Sequence, residues 1–497
     1  MIKNKKTDEK KAGKKKILNV AMIVLMVLAS ICLVMLGTII SIFGILPLKW
    51  LVVLWIVVVV FAAVTIFAIL KRNKMKKWVK IADCVVCGVL MVVAIVGMVY
   101  LAITANFLNK INGAKYRTEV FDVVVLNDAG YEEIENIEGK KVGILENVEG
   151  AYATAIQKLE EVISLEKNDF ADYFEMAQGL EEQKVVAMFL PDAYYNIITE
   201  LDKDFGEATK IIYTIEIQVE VENEAEEEAE ITTEPFNVFI SGIDTYGDIS
   251  AVARSDVNMV ITVNQDANQV LVTSIPRDYY VQLHDTTGVK DKLTHAGVFG
   301  IEKSVTTVED LLGIDIKYYV KVNFSSVTNI VDAIGGVEIE SDTAFTAKAD
   351  KSCKFVVGKQ SVDGKCALAF ARERKAYATG DRHRLLNQQE VFSAMLRKIT
   401  SSGTLLANYS SILDALGRAI QTNIPTGKIY ALVNYQLDEM PTWTVETYSL
   451  DGVSDMQPTY SMGARLLYVM QPDINTVETA RGKIEEALGD GQQEDEN

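Results

Sequence analysis

The stretch Ala369–Gln389, AFARERKAYATGDRHRLLNQQ, sets Arg372, Arg374, Arg382 and Arg384 close to Asp381. A guanidinium is a planar fork of donors that grips phosphate or carboxylate at two points. So many forks in a chain of net charge −19 need an explanation. One explanation is a helix start tied by surface ion pairs; the other is a built anion site. Further charges stand where apolar runs end. Asp244 closes FNVFISGID, Arg254 and Asp256 sit in ARSD at the entry to the next run, and Arg277-Asp278 close QVLVTSIPRD. Gln388 lies one helical turn after Arg384. In layered α/β folds ligands bind beyond strand ends, so one mouth could gather all of these. Arginines with two or three aspartates form the inventory for a pyrophosphate plus a hard cation, Mg²⁺ or Mn²⁺, which prefers oxygen ligands. Such a cation offsets charge on a leaving phosphate. Taken singly, each residue is more often a salt-bridge or cap residue, and Asp381 just ahead of a helix could be an ordinary cap. His284, His295 and His383 have no metal-ligand spacing.

These residues need strands and helices to position them. Phe236–Asp244, Asp256–Val263 and Gln269–Ile275 read as strands. Gly297–Leu312 reads as a helix, Tyr318–Phe324 as a strand, Ser325–Ile334 as a helix and Val337–Glu340 as a short strand. Arg384–Ser401 repeats Leu385, Val391, Met395 and Ile399 at helical spacing. Helices near Leu405–Ile420 and Thr426–Leu437, a strand at Trp443–Leu450 and a helix at Thr476–Leu488 follow. The expectation is an α/β fold: an α/β/α layered domain over 235–488, ahead of an acidic tail, 489–497.

Upstream, 104–218 reads as a small α/β accessory domain. Phe121–Asp128 and Val185–Leu190 are strands, Gly139–Gly150 is a strand leading into a turn, and Ala151–Ile163 is a helix. That alternation predicts a parallel or mixed sheet. No polar constellation stands out there, so a spacer or docking role is expected. The run 219–234, rich in glutamate, reads as a solvated linker.

The first part of the chain is different. A lysine-rich tail, 1–16, precedes three apolar runs within 17–103: Ile17–Gly44, Trp50–Leu70 and Ile81–Ile103. Each is long enough to cross a bilayer, at about 20 residues per crossing. The first run is too long for the core of a cleaved signal peptide. The tail and the loop KRNKMKKWVK (Lys71–Lys80) are basic, so both are expected in the cytoplasm. Three crossings then leave everything after Thr104 outside, in a multi-pass protein of the cell membrane. No ATP-driven chemistry is available there. The acidic balance argues against nucleic acid as a partner. Of five cysteines, Cys32, Cys84 and Cys87 lie in the apolar runs. Cys353 and Cys366 could pair outside the cytoplasm, subject to their Cα separation.

Val238–Gln388 resembles the LytR-CpsA-Psr family through FNVFISGID, ARSDVNMVITVN, VTSIPRDYYV, DKLTHAG, IVDAIGGVEIE and ALAFARERKAYATGDRHRLLNQQ, in the family's order. The three-helix anchor and accessory domain are similar to the CpsA-type capsule branch. The resemblance implies a Mg²⁺-dependent phosphotransferase, with pyrophosphatase as a side activity. It would move a glycopolymer, capsular polysaccharide by the branch, from an undecaprenyl-pyrophosphate carrier to peptidoglycan, beside capsule-assembly proteins. Carried over by position, Asp244 and Asp256 would bind metal. Arg254, Arg277, Arg372, Arg374 and Arg384 would hold pyrophosphate, with Gln388 beside the head group and Asp381 orienting arginines. Arg382 stays outside this set. Many members have arginine where this chain has Asn387, which puts one contact in doubt. The family's lipid lies in an apolar tunnel. Val260, Phe299, Leu311, Val327, Val331 and Phe392 are residue types that suit a tunnel and equally a filled core. The rival function is a non-enzymatic sensor or regulator of polysaccharide assembly and export.

Overall fold

The computed structural model describes residues 2–43, 46, 48–111, 116–220, 234–243, 249–400, 415 and 420–489. The chain divides into two compact units, Met1–Asn109 with Thr426–Pro441 and Lys110–Pro425 with Thr442–Asn497.

In the first unit α1 (Ile2–Phe43), α2 (Leu48–Lys71) and α3 (Lys77–Ile111) contain apolar spans of 24, 24 and 29 residues, each long enough to cross a membrane. The lysine-rich tail expected as a separate segment continues α1. Met22, Met26, Ala29, Ala68 and Cys87 pack together, while Val59, Ile66 and Phe67 face outward. Lys80 is buried and donates to Asn19 at 2.5 Å, so its charge is turned into the helix bundle. The helix Thr426–Glu439, expected inside the layered domain, groups with this unit.

The second unit carries two sheets. The first is mixed, in the order β3-β2-β4-β1-β5. Its strands are β1 (Tyr116–Leu126), β2 (Lys141–Leu145), β3 (Glu166–Phe170), β4 (Ala187–Pro191) and β5 (Thr209–Glu220). β2 runs parallel to β3 and β4, and β1 antiparallel to β4 and β5. Helices α4 (Gly150–Val162), α5 (Tyr173–Glu181) and α6 (Asp192–Leu201) cover it. The core is Val123, Val125, Leu159, Met176, Phe189 and Ile197 with their neighbours. The acidic run continues β5 to Glu220; residues 221–233 lie outside the described residues.

The second sheet holds six strands in the order β10-β9-β6-β7-β8-β11. They are β6 (Phe236–Ile243), β7 (Ser255–Asn264), β8 (Gln269–Ile275), β9 (Tyr318–Asn323), β10 (Ile420–Thr422) and β11 (Thr444–Ser449). Side chains alternate across a strand, so each strand serves two layers. Phe239, Val260 and Leu271 face one way, onto α7 (Ile301–Leu312) and α11 (Ile474–Leu488). Ile240, Met259 and Val320 are aligned across β6, β7 and β9 and face the other way, toward α8 (Phe324–Ala333), α9 (Gly364–Ala371) and α10 (Asp381–Ile399). This is the expected α/β/α layering. Cys353 and Cys366 form a disulfide with a Cα separation of 5.3 Å, fastening α9 to the loop before it. A hairpin, β12 (Gly452–Thr459) with β13 (Gly463–Pro472), was not anticipated. The helix expected at Leu405–Ile420 falls almost wholly outside the described residues.

The two sheets are joined. Thr118 of β1 accepts from the Val252 amide and donates its own to Ser250. Met462 and Leu467 of the hairpin region enter the first sheet's core.

Candidate functional site at the sheet mouth

Register places the charged residues together. Ile243 pairs with Ser255, and Asn258 with Ile275, so the end of β6, the start of β7 and the end of β8 lie at one edge. Arg254 and Asp256 bracket the start of β7; Arg277 and Asp278 follow β8. α10 begins at this edge after Gly380, whose φ of +56° is a left-handed conformation that glycine adopts readily. Asp381 is therefore the first residue of the helix and not its cap, and no side-chain cap hydrogen bond is made. Its charge suits the positive end of the helix dipole. Gln389 donates to the carbonyls of Val272 and Tyr448 at 3.0 and 2.9 Å, which fixes α10 against β8 and β11.

A small polar cavity at this edge is lined by Asp256, Arg277, Asp278, Asp381, Arg382, Arg384 and Gln388, among others. Arg277 is its centre. Its Nη1 donates to Asp256 Oδ2 at 3.0 Å, and its Nε lies 3.6 Å from Asp278 and 3.7 Å from Asp381. That Nε is buried and makes no hydrogen bond. Arg384 Nη2 donates to Asp381 at 2.8 Å, and Arg374 Nη1 stands 3.7 Å from the other Asp381 oxygen. Burial alone would raise the Asp256 pKa; the charges of Arg277, Arg254 and Arg384 outweigh it and hold the carboxyl down at about 2. Asp278 behaves alike: burial pushes up, but Lys292, bonded at 2.8 Å, and Arg277 hold it below the usual carboxylate range. For Arg384, burial and the like charge of Arg277 lower the pKa.

Arg372 sits elsewhere on the rim. It caps α9, and its guanidinium lies over the Phe324 ring at 4.1 Å. With Gln388 it lines a second, apolar cavity of about 220 Å³ between the sheet and α8, α9 and α10. Gln388 borders both cavities, so the polar and apolar spaces share a wall. Of the tunnel-type residues, Val327 and Phe392 line this cavity. Val260 and Leu311 belong to the core on the opposite face, Val331 is packed solid, and Phe299 borders a separate cavity with Tyr194.

Sequence reasoning missed three partners. Thr294 donates to Asp256 at 3.1 Å, and Lys292 holds Asp278. Glu200, from α6 in the first sheet's layer, bonds Arg254 and lies 3.5 Å from Arg277. A lone glutamate in TELDKDFG carries no local signal of this.

The model of the LytR_cpsA_psr family matches residues 204–482, more than half of the chain. The chain belongs to the LytR-CpsA-Psr family. The family match starts well before Val238, taking in β5 of the first sheet. Among curated relatives, the polyisoprenyl-teichoic acid–peptidoglycan teichoic acid transferase TagU of Bacillus mycoides is 37% identical over 199 residues, 40% of this chain and 63% of its own length. TagU of Enterococcus faecalis is 36% identical over 194 residues, 38% of this chain and 62% of its own. The chain thus spans under two thirds of the length of these relatives. The crystal structure of Bacillus subtilis TagV is 29% identical, with a TM-score of 0.45, covering 52% of this chain and 98% of that one. A structure of TagT bound to LI-WTA is 26% identical with a TM-score of 0.43, covering 53% and 94%.

Two residues that the LytR-CpsA-Psr resemblance puts in question have clear places here. Asn387 is buried and donates to the Phe370 carbonyl at 3.1 Å, so it faces the α9 side and does not line the polar cavity. Arg382 reaches the Asp451 carboxylate at 2.5 Å and the Gly452 carbonyl at 2.7 Å, which commits it to the hairpin. His295 is buried against Asp291 at 2.7 Å. Of the two family-type metal positions, Asp244 lies outside the described residues. Asp256 offers the carboxylate oxygens that Mg²⁺ takes, with one engaged by Arg277 and the other by Thr294. Among the described residues no group of three or more His, Cys, Asp or Glu side chains is placed to hold a metal.

Proposed function

We propose that this protein is a membrane-anchored phosphotransferase that moves a wall glycopolymer from an undecaprenyl-pyrophosphate carrier to peptidoglycan. The observation that carries the reading is the wall shared through Gln388 by an arginine-lined polar cavity and an apolar cavity. A ligand with a charged head and a hydrocarbon tail needs both, side by side. Each buried CH₂ of such a tail gains about 0.8 kcal/mol. The TagU relatives, which are teichoic acid transferases by name, favour teichoic acid as the polymer, and capsular polysaccharide is the alternative for the assay to separate.

In this reading an acceptor hydroxyl of the glycan attacks the phosphorus next to the polymer. The bond from that phosphorus to the bridging oxygen breaks, polyprenyl phosphate leaves, and a phosphodiester joins polymer to wall. Charge grows on the phosphoryl oxygens, and arginines already fixed by carboxylates stabilise it without reorganising. Arg277 and Arg384 serve this role from the polar cavity, with Arg254 beside Arg277 through their shared contact with Glu200, and Arg372 and Gln388 at the lipid junction. A Mg²⁺ or Mn²⁺ ion held by Asp256 with Asp244 would supply further charge neutralisation at the leaving phosphate. For the hydroxyl proton, Asp256 and Asp278 are poor bases, since cations hold their pKa values down. Asp381 is paired with Arg384 as well, but at 31% exposure it is the carboxylate of the three that a substrate hydroxyl can reach, and it is our choice.

The expected orientation places the second unit outside the cell, where the acceptor is. The test is turnover by the full-length protein in detergent, with polyprenyl-pyrophosphate glycopolymer and peptidoglycan fragments, with and without Mg²⁺. Release of polyprenyl phosphate with polymer on the glycan is expected. Tight polymer binding with no turnover in any metal would overturn the enzyme reading in favour of a regulator.

A further inference from the structure

We propose that Glu200, on the accessory sheet's helix α6, is an internal anion that occupies the phosphate-binding face of Arg254 and Arg277 until the carrier's pyrophosphate displaces it. The inference rests on the reading that these two arginines hold the carrier's phosphates.

The geometry is specific. One oxygen of Glu200 bonds Arg254 Nη1, and the other lies 3.5 Å from Arg277 Nη2. A carboxylate bridging two guanidinium groups presents them with the charge and oxygen spacing of a phosphate edge. Both arginine side chains are nearly buried, at 13% and 12% exposure, whereas Glu200 is at 41%. The arginines are thus fixed in the wall, and the carboxylate is the partner with room to leave.

Charge balance points the same way. Four carboxylates, Glu200, Asp256, Asp278 and Asp381, meet five cations, Arg254, Arg277, Lys292, Arg374 and Arg384. With Glu200 in place this cluster carries a net charge of +1, and without it +2, so departure of Glu200 doubles the positive charge that a pyrophosphate meets. Asp256, Asp278 and Asp381 contact arginine or lysine from the strand ends and helix start that build the mouth. Glu200 alone comes from the other sheet. It is also the second-last residue of α6, where the negative end of the helix dipole disfavours a carboxylate. Its position is unfavourable for its own helix and is compensated by the two arginines. The backbone bonds of Thr118 to Ser250 and Val252 bring α6's layer against the loop that carries Arg254. The accessory sheet, expected to be a spacer or docking domain, therefore reaches the anion site.

The test measures binding of geranyl pyrophosphate by calorimetry to the full-length protein in detergent. Glu200→Gln keeps the shape and loses the charge; Glu200→Ala loses both. Removing a like charge at this range should tighten binding about tenfold in both variants, while Arg277→Ala should lose it. Equal or weaker binding by both Glu200 variants, with wild-type binding intact, would overturn the internal-anion role and leave Glu200 as a residue that merely positions the arginines. Absence of binding in wild type and every variant, with folding intact by circular dichroism, would overturn the reading of the site itself and this inference with it.

Discussion

Arg277 Nη1 donates to Asp256 Oδ2 at 3.0 Å across the edge where β7 begins and β8 ends, with the two side chains only 12% and 8% exposed. A buried pair of this kind is costly to break from one side, because the partner is left charged and unsolvated. Arg277→Ala is therefore expected to lower stability by about 3–5 kcal/mol in addition to abolishing transfer. Denaturant unfolding of the purified protein reads the first effect, and the turnover assay the second.

Arg374 makes the opposite case. Its side chain is 49% exposed and 3.7 Å from Asp381. Arg374→Ala should leave stability within about 0.5 kcal/mol of wild type, as for most surface changes, and should still abolish transfer if the arginine grips the carrier. Full activity in this variant would remove Arg374 from the site. Arg372→Ala is expected to behave likewise in turnover, with some stability lost from its contact with Phe324.

The apolar cavity can be filled from α8. Val327 lines it and is not fully buried. Val327→Phe should leave the melting temperature unchanged or raised. It should cut turnover of a long polyprenyl substrate by about tenfold or more, while a geranyl substrate, which needs less of the cavity, is spared. Equal loss for both chain lengths would argue that the tail binds elsewhere.

Accessory-sheet stability should depend on pH through Asp122. Burial pushes its pKa up to about 7; the hydrogen bond from Thr214 opposes this and the neighbouring Asp192 adds to it. A carboxyl raised in the folded state contributes its full stability below its unfolded value, about 3.9, and loses it as pH rises through the folded value. Thermal melts should therefore show stability falling between about pH 4 and 7 from this group. Asp122→Asn should remove that slope and melt higher than wild type at pH 8.

The disulfide closes a separation of 13 residues. A loop of that length predicts a loss of about 3 kcal/mol in the Cys353→Ser/Cys366→Ser variant, by the chain-entropy account. Because Cys366 is in the first turn of α9, whose C-terminal cap is Arg372, loss of transfer at a temperature where the protein stays folded is the accompanying expectation.

Local pattern in the sequence determined a great deal. Apolar runs of membrane length, period-two strands β6 to β8 and the helical spacing of α10 each depend on neighbours a few residues away. They could be read without knowing the fold. The charged residues at strand ends, Arg254, Asp256, Arg277 and Asp278, were legible for the same reason, since the end of an apolar alternation is itself a local signal. What required tertiary structure was contact across distance. Glu200 meets Arg254 from the layer of another sheet, and Lys292 meets Asp278 from a separate short strand, Asp291–Lys292. Whether Cys353 and Cys366 pair depended on a Cα separation that only the fold sets. The division between Val327, which lines a cavity, and Val260, which fills a core, was also invisible in the sequence. Both are buried valines or nearly so; what separates them is which sheet face each meets and whether the helices above close on it. Sequence determines which residues seek burial, and packing alone decides where space is left over.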